Sequence, residues 1–421
     1  MSVNNPNHDT AEASPQDSSP ATLLLHSSPL SIKKGRRKVL IGVLVLLILL
    51  LLASGAGTLY LVTHKPSTAQ TSPIIGHAFF ISSGQKDAFS AQGINDELVI
   101  DLRNIPPPAT GKSYYAWLLS DSNQADHNAI LLGILAVKHG VVQFTYRDPL
   151  HSDLLQVSSS FLITEEAANT TPANPSPDHS TWRYSAGFAQ TPDPGNTTNH
   201  YSLLDHLRLL LSDDPLLTQV GVAGGLNTSF FRNTGNILQW TGSARDDWNS
   251  GGADAIRGHL IRILDYLDGV SSVGSDVPPG TKVIVDKRLA SIALLEPSLF
   301  ENSSQASSDY LHLISGNLSA IAQAPGVTAN QRRLAVEINT ALTNMRNWLE
   351  NVRQDAKTLV VMSNARLLQP SSLSILDEMQ TQAFNAYAGR LDPSTNQVQE
   401  GVVQINFTIQ SLATFDITPF T

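Results

Sequence analysis

The sequence predicts a multidomain, membrane-anchored protein: a single transmembrane helix, then an antiparallel β-sandwich, then an all-α helical bundle. Three observations predict it. Residues Val39 to Val62 carry no charge. Between 74 and 188, short runs rich in β-branched and aromatic residues are separated by turn formers. From Tyr201 onward, apolar residues recur at three- and four-residue steps, the period of a helix with one buried face.

Taken in order, residues 1–38 are rich in Asn, Ser, Pro and Asp and hold few large apolar groups until the span. Such a segment cannot bury enough surface to offset ordering entropy, so a disordered cytoplasmic tail is expected. It ends in the basic cluster Lys33, Lys34, Arg36, Arg37 and Lys38. At about 1.5 Å rise per residue, the run Val39 to Val62 reaches roughly 36 Å, enough to cross a hydrocarbon core of about 30 Å. The membrane is thus an expected partner. The basic flank places the N-terminus in the cytoplasm and everything after Lys65 outside: a single-pass, extracytoplasmic arrangement in the cell membrane. The competing reading is a signal peptide cleaved after Ala56, where Ser54, Gly55 and Ala56 are small. Residues 63–73 read as a Pro/Ser/Thr/Gln tether.

Charge and cysteine usage narrow the function classes. The chain has 421 residues and a formal charge of −9, but residues 1–38 hold five of the 27 basic and three of the 36 acidic residues. The remainder, 22 basic against 33 acidic, is near −11 and has no basic stripe, which excludes nucleic acid as a partner there. Cysteine is absent. That excludes thiol catalysis, thiolate zinc sites and iron–sulfur clusters, and in an exported chain it suggests a bacterial-type envelope protein whose cores need no staples.

The sandwich strands are expected at Ala78–Ile81, Glu97–Leu102, Tyr114–Leu119, Val141–Tyr146, Ser160–Thr164 and Thr181–Gly187. Turn chemistry stands between them at Ser83-Gly84, Pro106–Pro108, Asp121–Asn123, His139-Gly140 and Asp148-Pro149. Strands at this spacing without intervening helices suggest an antiparallel sandwich. Three pieces, Gly111-Lys112-Ser113-Tyr114-Tyr115-Ala116-Trp117-Leu118-Leu119, Leu132-Gly133-Ile134-Leu135 and Phe161-Leu162-Ile163-Thr164-Glu165, resemble in order and spacing the exported C-terminal domain of the anti-sigma-K factor family. The resemblance covers about 74–188 and implies a β-sandwich outside a single-span protein, with a sigma factor as partner of the cytoplasmic tail. Residues 1–38 are short and cysteine-free where that family carries a sigma-binding region with a His/Cys signature. The loop after Glu165 also departs from the family pattern. Trp117 and Tyr114 fit either an aromatic shelf for sugars or peptides or, as strand aromatics more often do, the core.

Residues 189–200 read as a linker and 201–421 as an antiparallel helical bundle with no recognised family. Ser202 is placed to cap a helix over Leu203–Leu211, and Thr328 to cap the longest one, to about Ala365. Helices are further expected at Phe230–Trp248, Ala253–Leu267 with Gly269 past its end, Tyr310–Ala324, Ser371–Ala388 and Thr395–Ala413, with a short strand-like Lys282–Val285. In the long helix, Leu334, Ile338, Leu342, Met345, Leu349, Val352, Ala356 and Leu359 form one apolar stripe.

Chemistry-bearing residues are sparse. His206, His259 and His312, with Asp205 or Asp265, would make a bundle metal site if packing united them, but their wide spacing lacks a His-Glu-x-x-His or Glu-x-x-His unit. Gly221–Gly225 lacks the Lys-Ser/Thr of a phosphate loop, and Asp121–Asp126 the pattern of a calcium loop. No catalytic, metal or cofactor residue is assigned. Trp240, Arg245, Asp246, Asp247 and Trp248 form a candidate interaction edge, since Trp and Arg anchor interfaces. The same residues equally suit an arginine paired with an acid and indoles sealing a bundle. The expected function is therefore binding or sensing outside the membrane, not catalysis. A structural envelope protein and a metal-dependent enzyme in the bundle are the alternatives.

Overall fold

The structure, a computed structural model, describes residues 73–421 apart from 123–127, 196–199, 220, 271, 282, 284–291 and 296–308. The expected tail, the span Val39–Val62, most of the tether and most of the strand-like Lys282–Val285 lie outside the described residues.

Seven strands precede the helical layer: β1 (Gly76–Ile81), β2 (Glu97–Arg103), β3 (Lys112–Leu119), β4 (Ala129–Leu135), β5 (Val141–Arg147), β6 (Ser160–Ala167) and β7 (Trp182–Gly187), six where residue chemistry placed them and β4 in addition. A one-turn helix, α1 (Leu154–Val157), precedes β6. All pairings are antiparallel, in the order β4-β3-β6-β7-β10-β1-β2-β5. The intruder, β10 (Thr414–Pro419), is the last strand of the chain. Its alternation buries Phe415 and Ile417 on the core face, and Asp416 meets His77 of β1 at 3.0 Å on the other. The two end strands nearly close the sheet on itself. Gly133 of β4 leaves room for the Phe144 ring of β5, which stands 3.0 Å from where a Cβ would be.

The helices are α2 (Leu203–Leu211), α3 (Pro215–Gln219), α4 (Gly225–Ser250), α5 (Ala253–Asp268), α6 (Val273–Asp276), α7 (Tyr310–Gln323), α8 (Ala329–Val360), α9 (Asn364–Leu367), α10 (Pro370–Ala388) and α11 (Val402–Ser411). Both expected caps form as reciprocal capping boxes, Ser202 with Asp205 and Thr328 with Gln331. All eight residues of the expected α8 stripe are buried. Where Thr395–Ala413 was expected to be helical, a hairpin of β8 (Arg390–Asp392) and β9 (Gln397–Gln399) comes first, and only α11 is helix. The turn between these strands carries Asn396 in the left-handed region, a place Asn tolerates better than most residues.

The expected fold class is corrected on two counts. Among the described residues no helix is long and apolar enough to cross a membrane, so the membrane-anchored, single-pass class has no counterpart in this fold. Nor is there a sandwich followed by an all-α bundle. Thr68–Thr421 is one compact unit, and Phe80, Phe161 and Phe415 of the sheet share one buried cluster with Leu207, Phe230 and Leu349 of the helices. The physical reason is that β1 to β7 leave a gap between β7 and β1, which β10 fills with its own backbone hydrogen bonds.

Polar contacts stitch the seam between sheet and helices. Arg208 of α2 grips Asp121 with two bonds of 2.6 and 2.8 Å and donates to Leu155 O and Ser158 O. Asn95, buried before β2, donates to Leu211 O at 2.8 Å and to Asp153 Oδ1 at 3.1 Å. Asp153 also accepts from Gln156 N, Ser212 Oγ and Asp213 N. Burial pushes its carboxyl up to about 6, although these donors pull it down. The folded state therefore holds this proton more tightly than the unfolded chain. The stability Asp153 contributes is full below about pH 4 and lost as pH rises through about 6, a change on the order of 2–3 kcal/mol. Urea unfolding from pH 4 to pH 8 should show this decline relative to Asp153→Asn; parallel profiles of the two proteins would refute it.

An aromatic and cationic edge on the α4–α5 pair as the candidate functional site

Helix α4 ends because Gly251 adopts φ 74°, a left-handed conformation that glycine enters without strain, and its N–H donates to Trp248 O. The chain then reverses into α5, so the two helices lie side by side. On α4, Trp240 and Asp247 are two turns apart on one face; on α5, His259 and Arg262 are three residues apart on the facing side. The His259 imidazole stacks on Trp240, ring centroids 5.3 Å apart and planes 19° from parallel. Its Nε2 lies 3.0 Å from Asp247 Oδ2, and because a carboxylate only accepts, Nε2–H is the donor. The Arg262 guanidinium carbon sits 4.3 Å from the Trp240 ring centroid, a cation–π contact. All four side chains are partly exposed. Unlike the other arginines of α4 and α5, Arg262 has no hydrogen-bond or ion-pair partner among the described residues.

Of the five residues expected to form an edge, the structure unites two. Arg245 turns to Asp377 of α10 at 2.9 Å, Asp246 is exposed, and Trp248 is half-buried against the core. Only Trp240 and Asp247 share the face. Sequence reading missed Arg262 altogether and weighed His259 only as a metal ligand. The signal was the three-residue step on α5 opposite the seven-residue step on α4. The histidine trio weighed as a metal site does not assemble: His206 Nδ1 meets Asn317 Oδ1 at 2.8 Å, His259 faces Asp247, and His312 is exposed at the start of α7. Among the described residues no group of three His, Asp or Glu side chains is placed to hold a metal.

Three other expectations have clear outcomes. Trp117 is fully buried with Nε1 donating to Thr164 Oγ1, and Tyr114 packs edge-on to Tyr184, so both are core residues and not a shelf. Gly221–Gly225 is the tight entry to α4; a Cβ on Gly225 would stand 2.6 Å from Leu210 O. Asp121 is the ion-pair partner of Arg208.

Two further clusters were not legible. At one end of the sheet, the buried Asp96 carboxylate accepts from Ser83 N and Ser83 Oγ, both at 2.7 Å, and meets His151 Nδ1 at 2.5 Å. Burial pushes this carboxyl up, but the bonds from Ser83 and His151 together hold it below its usual range. Ser83 Oγ lies 3.5 Å from the same Nδ1. A serine nucleophile requires its hydroxyl at the other ring nitrogen, so this cluster is a loop clamp and not a triad. Deeper in the helices, Asp268 at the end of α5 pairs with Arg353 at 2.5 Å and Lys357 at 2.9 Å, and Lys357 also reaches Asp276. An open groove of about 350 Å³ beside them is lined by Glu350, Arg353, Gln354, Lys357 and Thr358. Its positive groups are already committed to carboxylates.

Fold and site together define an α+β module in which one nearly closed antiparallel sheet and a helical layer share a core and present a preformed aromatic–cationic edge. Comparison with models of known families, with curated proteins and with solved structures finds no match. The likeness of residues 74–188 to the anti-sigma-K factor domain thus rests on its three motifs alone.

Proposed function

We propose that this protein is a binding or sensing module, not an enzyme, and that the α4–α5 edge is its recognition surface. The observation that carries this reading is Trp240, a partly exposed indole in contact with both the His259 ring and the Arg262 guanidinium. Large rigid aromatics supply contact area at low entropic cost, and Trp and Arg are the residues that most often dominate interface energetics. The His259 stack and the Arg262 cation–π contact fix the indole before a partner arrives, which lowers the ordering cost of association.

Replacing Trp240 by alanine is expected to weaken partner binding at least tenfold while lowering folding stability by only about 1 kcal/mol, because the side chain lies at the boundary of the core and not within it. Binding measured by interferometry beside a urea melt separates the two effects. Unchanged binding in a folded Trp240→Ala protein would remove the edge from this role.

A further inference from the structure

The recognition reading leaves open what kind of group the edge receives, and Arg262 answers this. A guanidinium presents five N–H donors in a planar fork and is always charged. The arginines of neighbouring surfaces spend that capacity inside the fold: Arg245 on Asp377, Arg257 on Val360 O, Met362 O and Asn364 Oδ1, Arg232 on Ala88 O and Ser229 Oγ. Arg262 spends none of it on a hydrogen bond or ion pair among the described residues, yet it is not left to wander, since its guanidinium carbon rests over the Trp240 ring, 4.3 Å from the centroid. The carboxylate nearest in the cluster, Asp247, is engaged by His259. This is an uncommitted, pre-oriented fork on a chain whose net charge is −9.

Resting on the recognition reading above, we propose that the α4–α5 edge docks an acidic segment of a protein partner, with a partner carboxylate taken by the Arg262 fork and an adjacent apolar side chain laid on Trp240. Two parallel N–H···O bonds to a carboxylate match the spacing of the fork, which a lysine ammonium does not reproduce. The carboxylates Asp246 and Asp247 on α4 disfavour a second negative group close by, so the partner segment carries a single acid among apolar residues. An extended segment with one acidic residue flanked by apolar ones meets that requirement, whereas strict alternation would line several acids along one face.

The test uses the purified full chain against an array of synthetic ten-residue peptides in three sets that share apolar flanks and differ in one central residue, glutamate, glutamine or lysine. Binding is read for the wild type, Arg262→Gln, Arg262→Lys and Trp240→Ala at two salt concentrations. The glutamate set should be retained at least tenfold over the glutamine set. Arg262→Gln should abolish that preference, Arg262→Lys should keep only part of it, and raising the salt should weaken it. Equal retention of the glutamate and glutamine sets, or preference for the lysine set, overturns the acidic-partner proposal. If binding then still falls with Trp240→Ala, the recognition surface survives without it. Absence of any peptide binding, or binding indifferent to both Trp240 and Arg262, overturns both.

Discussion

Replacing Asp268 by alanine is expected to lower the stability of the folded unit by about 3–5 kcal/mol, because it leaves a buried guanidinium without its counter-charge. The Asp268 side chain is fully buried and that of Arg353 is only 6% exposed, with Nε 2.5 Å from the carboxylate. Burial pushes the Asp268 carboxyl above its usual range, against the pull of Lys357 and Arg353. Without Asp268, Lys357 retains Asp276, but Arg353 keeps only Glu350, whose side chain is half exposed and screened by water. A mutant cycle separates the pair from the cavity. Asp268→Ala with Arg353→Met should recover at least half of the single-mutant loss, since removing both charges removes the desolvation penalty. Urea denaturation of the four proteins reads this directly, and a single-mutant loss below about 1 kcal/mol would show that the network is not what pins α5 to α8.

Phe415→Ala is expected to cost a similar 3–5 kcal/mol and to unfold sheet and helices together. The Phe415 ring stacks on Phe188 at 4.3 Å and lies 5.6 Å from Phe80 and 6.3 Å from Phe161, so truncation opens a cavity where β1, β6 and the chain after β7 converge. Its strand also fills the gap between β7 and β1. Helix α8 is tied to the start of this strand by Gln331 Nε2, which donates to Leu412 O at 2.9 Å. Far-ultraviolet dichroism, dominated by helices, and tryptophan emission, drawn from Trp117 and Trp182 on the sheet and Trp240, Trp248 and Trp348 on the helices, should give one coincident transition. Two separated transitions would mean that sheet and helices are independent folding units.

Much of the local structure was readable. The α8 stripe, the N-caps Ser202 and Thr328 and six of the first seven strands follow from spacing and residue type, because these patterns are settled within a few residues of chain; β4 is the exception. The last strand was not readable as such. Thr414–Pro419 alternates over six residues only, and it stands just past the helix expected to end at Ala413, without an assignment of its own. The second half of the hairpin at 390–399 was overwritten by the same expected helix. At the site, Trp240 and Asp247 were legible as a Trp- and acid-rich stretch. Their separation from Arg245, Asp246 and Trp248 was not, because consecutive helical residues point about 100° apart and only the packing of α4 against α5 and α10 decides which direction matters.

By itself, the sequence determined the buried stripe of α8, the caps at which α2 and α8 start, and that this chain has no cysteine thiol, since composition and periodicity are local properties. Only the tertiary structure decided that sheet and helices are one unit. The pairing of β10 with β1 joins His77 to Asp416 across 339 positions, and a strand's alternation names its buried face without naming its neighbour. It also decided that Arg262 lies over Trp240 with no hydrogen-bond or ion-pair partner among the described residues, a relation between two helices that neither helix records.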